Sequence, residues 1–144
     1  MTAKERAEKA KKYLQQIKKL DQRLRRELRN LDKLRSSAEY HSPNFEGGCG
    51  IGSGDKLSES VSRIIEQEER VQQLTDTYTR KYVEIEQAIK SVGNDYQEEV
   101  LELRYLHYKP WEEIARTMNY SLDNVYKLHG KALQKITLNY SNQL

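Results

Sequence analysis

The sequence predicts an all-α protein: a long antiparallel helical hairpin, zipped as a coiled coil, followed by a three-helix unit that ends in a helix-turn-helix. Three observations predict it. Apolar residues recur at steps of three and four along two long stretches, a Gly-rich run lies between those stretches, and Trp111 to Leu128 (WEEIARTMNYSLDNVYKL) carries core, turn and cap residues in helix-turn-helix order.

The first stripe runs through Ala10, Tyr13, Ile17, Leu20, Leu24, Leu28, Leu31, Leu34 and Ala38. It ends at Ser42-Pro43 and GGCGIGSG (Gly47 to Gly54), where proline blocks continuation and glycine gives up the most backbone entropy, so residues 39–57 read as a loop. The second stripe follows through Leu57, Val61, Ile64, Val71, Leu74, Tyr78, Tyr82, Ile85, Ile89 and Val92, with Ser58 supplying start chemistry. At 1.5 Å per residue each helix spans roughly 50 Å, too narrow-striped to fold alone but able to pair with the other. The expected division is therefore a hairpin over residues 1–93 and a separate unit over 94–144. Glu68 interrupts the second stripe and is its weak point.

Charge is divided along the chain. Residues 1–38 carry thirteen Lys/Arg against five Asp/Glu, residues 39–95 six against eleven, and residues 96–144 six against six, within a total of +3. Folding about the loop sets Arg29, Lys33 and Arg35 near Glu66, Glu68 and Glu69, and Lys11 and Lys12 near Glu84 and Glu86. Such exposed pairs select register more than they stabilise, at roughly 0 to 1 kcal/mol each. The basic stripe of residues 4–35 is read first as the cationic side of a salt-paired coiled coil and second as a grip on phosphates.

Gly93-Asn94-Asp95 ends the second helix with turn and cap residues. A third helix is expected over Tyr96 to His107, with Tyr96, Val100, Leu103 and Leu106 covering the helix-turn-helix, and Lys109-Pro110 as a connector. Ile114 and Met118 lie on one face of the next helix, and small Ala115 permits a close crossing. Asn119 suits the left-handed position of a tight turn, and Ser121 offers a hydroxyl cap. Tyr120, Val125 and Leu128 return to the core, so Leu122, Asp123, Asn124, Tyr126 and Lys127 fall on the outer face, where this motif reads a major groove. The last helix is expected to continue through Lys131, Leu133 and Ile136, with Gly130 bending it or admitting a close neighbour.

Several function classes are excluded. No apolar run is long enough for a membrane span and the N-terminus is charged, which predicts a cytoplasmic protein without membrane contact. Cys49 stands alone and His41, His107 and His129 are scattered, so no metal site or disulfide is expected. The Gly-rich run lacks the Gly-Lys-Ser/Thr ending of a phosphate loop, and no nucleophile, base and orienter come together. Neither a cofactor nor an enzyme is expected.

The segment LELRYLHYKPWEEIARTMNYSLDNVYKLHGKALQKI resembles region 4 of bacterial sigma-70 factors. The resemblance rests on Leu103-Arg104-Tyr105 preceding Glu112-Glu113-Ile114-Ala115, and on the tail Lys131 to Ile136. It implies a domain that binds an upstream promoter element and the polymerase flap. The rest of a sigma factor is absent and a hairpin replaces it, so the whole chain is similar to small prophage transcription regulators of the ArpU and RinA type from Gram-positive bacteria. Carried over by position, the DNA-binding residues implied are Ser121, Leu122, Asp123, Asn124, Tyr126, Lys127 and Lys131. Asn124 would bond an adenine edge, Tyr126 would reach a phosphate or a thymine methyl, and Asp123 would accept from cytosine or simply favour the helix dipole. Primary sigma factors place several arginines here, whereas this chain has Lys127 and Lys131. Expected partners are therefore double-stranded DNA, RNA polymerase and a second copy of the chain, since a dimer compensates for weak binding by one motif. Two rival readings are a DNA-packaging adaptor resembling a small terminase subunit, and a polymerase-binding module that makes no DNA contact.

Overall fold

A computed structural model describes residues 2–41 and 53–136. Its elements are α1 (Ala3–His41), α2 (Ser53–Lys90), α3 (Asp95–Leu101), which runs on into a π-helical turn (Glu102–Leu106), α4 (Trp111–Met118) and α5 (Leu122–Lys135). Every regular element among the described residues is helical, and α1 and α2 form the expected hairpin. No helix among them is long and apolar enough to cross a membrane. Both long helices reach into the span expected to be loop, α1 to His41 and α2 from Ser53. The rest of the Gly-rich run, including Cys49, lies outside the described residues, as does the tail 137–144.

The start of α1 is fixed by a reciprocal cap. The Glu5 N–H donates to Thr2 Oγ1 at 3.2 Å while Thr2 N–H donates to Glu5 Oε2 at 3.1 Å, satisfying donors that have no partner inside the helix.

Two compact units emerge: residues 20–78, and residues 1–19 together with 79–144. In the 20–78 unit the seam is part polar. Leu31 is buried, Leu24, Leu34, Ile64, Val71 and Leu74 are half-buried, and Leu28 of the expected stripe is 42% exposed. The break in the apolar stripe falls at Gln67 rather than Glu68. Gln67 is buried and its Nε2 donates to both the Glu27 carbonyl (2.9 Å) and Glu27 Oε2 (2.7 Å), while Glu68 faces outward and pairs with Arg35 at 3.0 Å. The bond from Gln67 is the largest influence holding the Glu27 carboxyl below its ordinary range. One side chain thus ties α2 to one point of α1, because a slipped register would leave a buried amide unpaired.

In the other unit the first five turns of α1 and the last turns of α2 join the C-terminal helices. Ala10, Leu14 and Ile17 from α1, Ile85 and Ile89 from α2, and Leu101 are fully buried here. Lys81 lies over the Tyr13 ring at 5.6 Å. The expected pairing of Lys11 and Lys12 with Glu84 and Glu86 does not form: Glu84 takes Lys81 at 2.9 Å and Glu86 takes Lys90 at 3.4 Å, each along α2 itself. Neighbours three and four apart on one helix are reached at less entropic cost than partners across a seam.

Candidate nucleic-acid interface

The C-terminal helices are placed by local signals. Gly93 (φ 77°) ends the preceding turn, and the Asn94 side chain caps α3 by accepting from the Gln97 N–H at 3.0 Å. The single α-helix expected over Tyr96 to His107 stops at Leu101. From there a π-helical turn closes with the His107 N–H donating to the Glu102 carbonyl at 3.0 Å, and Lys109 N–H donating to Leu103 at 2.9 Å. This widened turn changes which residues face inward. Leu101 and Tyr105 are buried beside Val100, whereas Leu103 and Leu106 are half-buried and Tyr96 is exposed, its ring edge-on to Tyr120 at 5.8 Å.

Tyr108 then takes a left-handed conformation (φ 57°), rare for a bulky side chain. Arg104 steadies the connector by donating to the Lys109 carbonyl at 3.1 Å, and Pro110 leads into α4.

The helix-turn-helix has the geometry its residues predict. Asn119 sits at φ 57°, ψ 40°, the left-handed position, and Tyr120 N–H reaches back to the Ala115 carbonyl at 3.0 Å. Ser121 Oγ accepts from the Asn124 N–H at 3.2 Å, capping α5. Ile114, Val100 and Val125 form the buried centre, with Leu103, Trp111, Ala115, Met118, Tyr120 and Leu128 packed against it.

Ser121, Leu122, Asp123, Asn124, Tyr126, Lys127 and Lys131 are all exposed. They share the outer side of α5. Gly130 has nothing within 4 Å of where a side chain would begin, so neither a close neighbour nor a left-handed φ requires glycine there.

Behind that surface lies an aromatic cluster that sequence patterning does not pick out. Trp111 meets Tyr126 edge-on at 5.3 Å and His129 at 4.7 Å, and the Arg104 guanidinium stacks over Trp111 at 4.4 Å. Tyr126 is thus braced from behind as well as 45% exposed. The Tyr105 hydroxyl and His129 Nε2 are hydrogen-bonded at 2.7 Å. Burial drives the His129 pKa down to about 4, helped by the positive charges of Lys11 and Arg104, and burial raises Tyr105 to about 12. Both are neutral near pH 7. Trp111 lies fifteen and eighteen positions from Tyr126 and His129, and only the crossing of α4 and α5 brings the three together.

A helix-turn-helix with an exposed second-helix surface defines a class of nucleic-acid-binding fold. Residues 94–137 match the family model for Sigma-70, region 4, a DNA-binding helix-turn-helix type found in transcription regulators. The match begins at the Asn94 cap and ends just beyond α5, leaving the long helices outside it. No curated protein and no solved structure matches the chain.

Proposed function

We propose that the chain is a DNA-binding transcription regulator of prophage type, in which α5 enters the major groove of promoter DNA. The observation that carries this reading is the family match over 94–137 combined with an outer α5 surface that none of the chain's described residues covers. Ser121, Leu122, Asp123, Asn124, Tyr126, Lys127 and Lys131 make the contact. Asn124 reads a base edge, and Lys127 and Lys131 hold phosphates. The unit over 94–144 works as the reading head, in the cytoplasm, and also docks on RNA polymerase as region 4 of a sigma factor does.

In a gel-shift titration, Lys127→Ala weakens binding across sequences and lowers the slope of log affinity against log salt by about one. Asn124→Ala instead relaxes sequence preference. Equal affinity for all duplexes at low salt, unaltered by either change, overturns the reading.

The chain acts as a homodimer. Leu57, Val61 and Ile65 are exposed at successive four-residue steps on α2, and Leu28 is exposed in the same unit, an apolar strip of the kind that pairs copies. Two linked motifs then bind half-sites about 34 Å apart, or a multiple of that. Sedimentation equilibrium should give a dimer that Val61→Asp with Ile65→Asp converts to monomer. A wild-type monomer at tens of micromolar refutes the dimer.

A further inference from the structure

The helix-turn-helix segment has little charge for holding DNA, since residues 94–137 carry six Lys/Arg against seven Asp/Glu. The fold brings in more. Residues 1–19, part of the same compact unit, add seven Lys/Arg against two Asp/Glu, and residues 79–93 carry three against two. The excess of positive charge in this unit therefore comes chiefly from the first five turns of α1.

Those cations are not all alike. Ala10, Leu14 and Ile17 face the core and Tyr13 meets Lys81 of α2, so the opposite flank of the inward stripe is the one turned to the C-terminal helices. On that flank, at seven-residue intervals, stand Lys4, Lys11 and Lys18, spanning roughly 21 Å of helix. Lys18, with Leu14 and Gln15, lines a cleft against Arg104, Tyr105 and Tyr108 of the π-helical segment. Lys11 lies near enough to His129 for its charge to oppose protonation of the ring. From His129 the contacts continue through Trp111 to Tyr126 on the outer side of α5. Lys4 and Lys18 are exposed and Lys11 is half-buried, and among the described residues none of the three has an ion-pair partner.

We propose that Lys4, Lys11 and Lys18 of α1 form a second binding surface, gripping the phosphate backbone of the same duplex whose major groove α5 enters. This rests on the DNA-binding reading above and extends the interface to a helix outside the matched domain. The occupant is set by charge complementarity, because the three lysines lack ion-pair partners among the described residues and belong to the same compact unit as α5. An acidic protein segment is the alternative that the test separates.

The full-length chain is titrated with its preferred duplex and with an unrelated duplex from low to moderate salt. Each phosphate contact contributes about 0.9 to the salt slope, so Lys4→Gln, Lys11→Gln and Lys18→Gln together should flatten it by about 2.7 and weaken both duplexes alike. The ratio between the two duplexes stays unchanged, because these groups carry no sequence information. Since Lys11 is half-buried, the double variant Lys4→Gln with Lys18→Gln is measured beside the triple, with an expected flattening of about 1.8 and an unaltered helical circular dichroism. If Lys127→Ala lowers affinity and the double and triple variants bind as wild type does, the α1 surface is overturned while the α5 reading stands. If the wild-type chain binds neither duplex at low salt, both fall.

Discussion

Truncating Ile114 to alanine is expected to cost about 3 to 4 kcal/mol and to abolish specific DNA binding at the same protein concentration. Ile114 is fully buried between Val100 of α3 and Val125 of α5, so it is the point at which α3, α4 and α5 are clamped together. Removing three heavy atoms leaves a cavity that neighbours on three separate elements cannot fill without moving α5. A loss of that size is a large share of the 5 to 15 kcal/mol that typically separates folded from unfolded domains. The control is Leu122→Ala. Leu122 is 37% exposed on the first turn of α5, and its truncation should change stability by less than about 0.5 kcal/mol. Urea titration followed by tryptophan fluorescence reports on this unit directly, because Trp111 packs on its core. Similar midpoints for Ile114→Ala and Leu122→Ala would show that the buried and outer faces of the motif have been misassigned.

The second large effect is a loss of stability on mild acidification. His129 has its pKa lowered to about 4 in the folded chain, first by burial and then by Lys11 and Arg104, against an ordinary value of 6.5. Between those two values the unfolded chain binds a proton that the folded chain does not, so stability rises with pH across that window and falls as pH drops from about 6.5 to about 4. A difference of this size corresponds to about 3 kcal/mol at full effect. The hydrogen bond to Tyr105 and the edge contact with Trp111 both belong to the neutral ring's environment, and the same cluster braces Tyr126. Denaturation midpoints at pH 7, 5.5 and 4 should therefore decline more steeply for wild type than for His129→Gln, which has no proton to gain. Carboxylates such as Glu27 also titrate at the acid end, but they do so in both chains and cancel in the comparison. Parallel curves for the two chains would remove His129 as the source.

The parts of this fold that were legible in the sequence are those fixed by neighbours in the chain. Asn119 and Ser121 sit where a left-handed turn and a hydroxyl cap need them, because those preferences act over three or four residues. Ile114 with Met118, and Val125 with Leu128, follow from helical spacing in the same way. The reciprocal cap of Thr2 and Glu5 is equally local, a Thr-x-x-Glu spacing, but the start of the chain was read only for its charge. Periodicity fails where the period changes. A stripe drawn at 3.6 residues per turn picks Leu106 as a covering residue, but the π-helical turn after Leu101 brings Tyr105 inward instead, while Tyr96 lies before that turn and is exposed at the start of α3. The break at Gln67 was displaced to its charged neighbour because charge is the more conspicuous signal, while an amide that donates twice is the better occupant of a seam. Least visible was the company that α1 keeps. That its first turns belong with residues sixty or more positions away is a property of the folded chain alone.

The widened turn at Glu102–Leu106 also constrains how this chain can vary. An α-helix accommodates such a turn by taking in one residue beyond its regular count, and deleting that residue would restore ordinary hydrogen bonding while rotating everything downstream by about 100°. Arg104 would then leave the indole it covers and Tyr105 would leave the imidazole it holds. Backbone regularity and the alignment of the aromatic cluster are thus opposed at this point, so a homologue shortened by one residue here would have to rebuild the support beneath its last helix from other side chains.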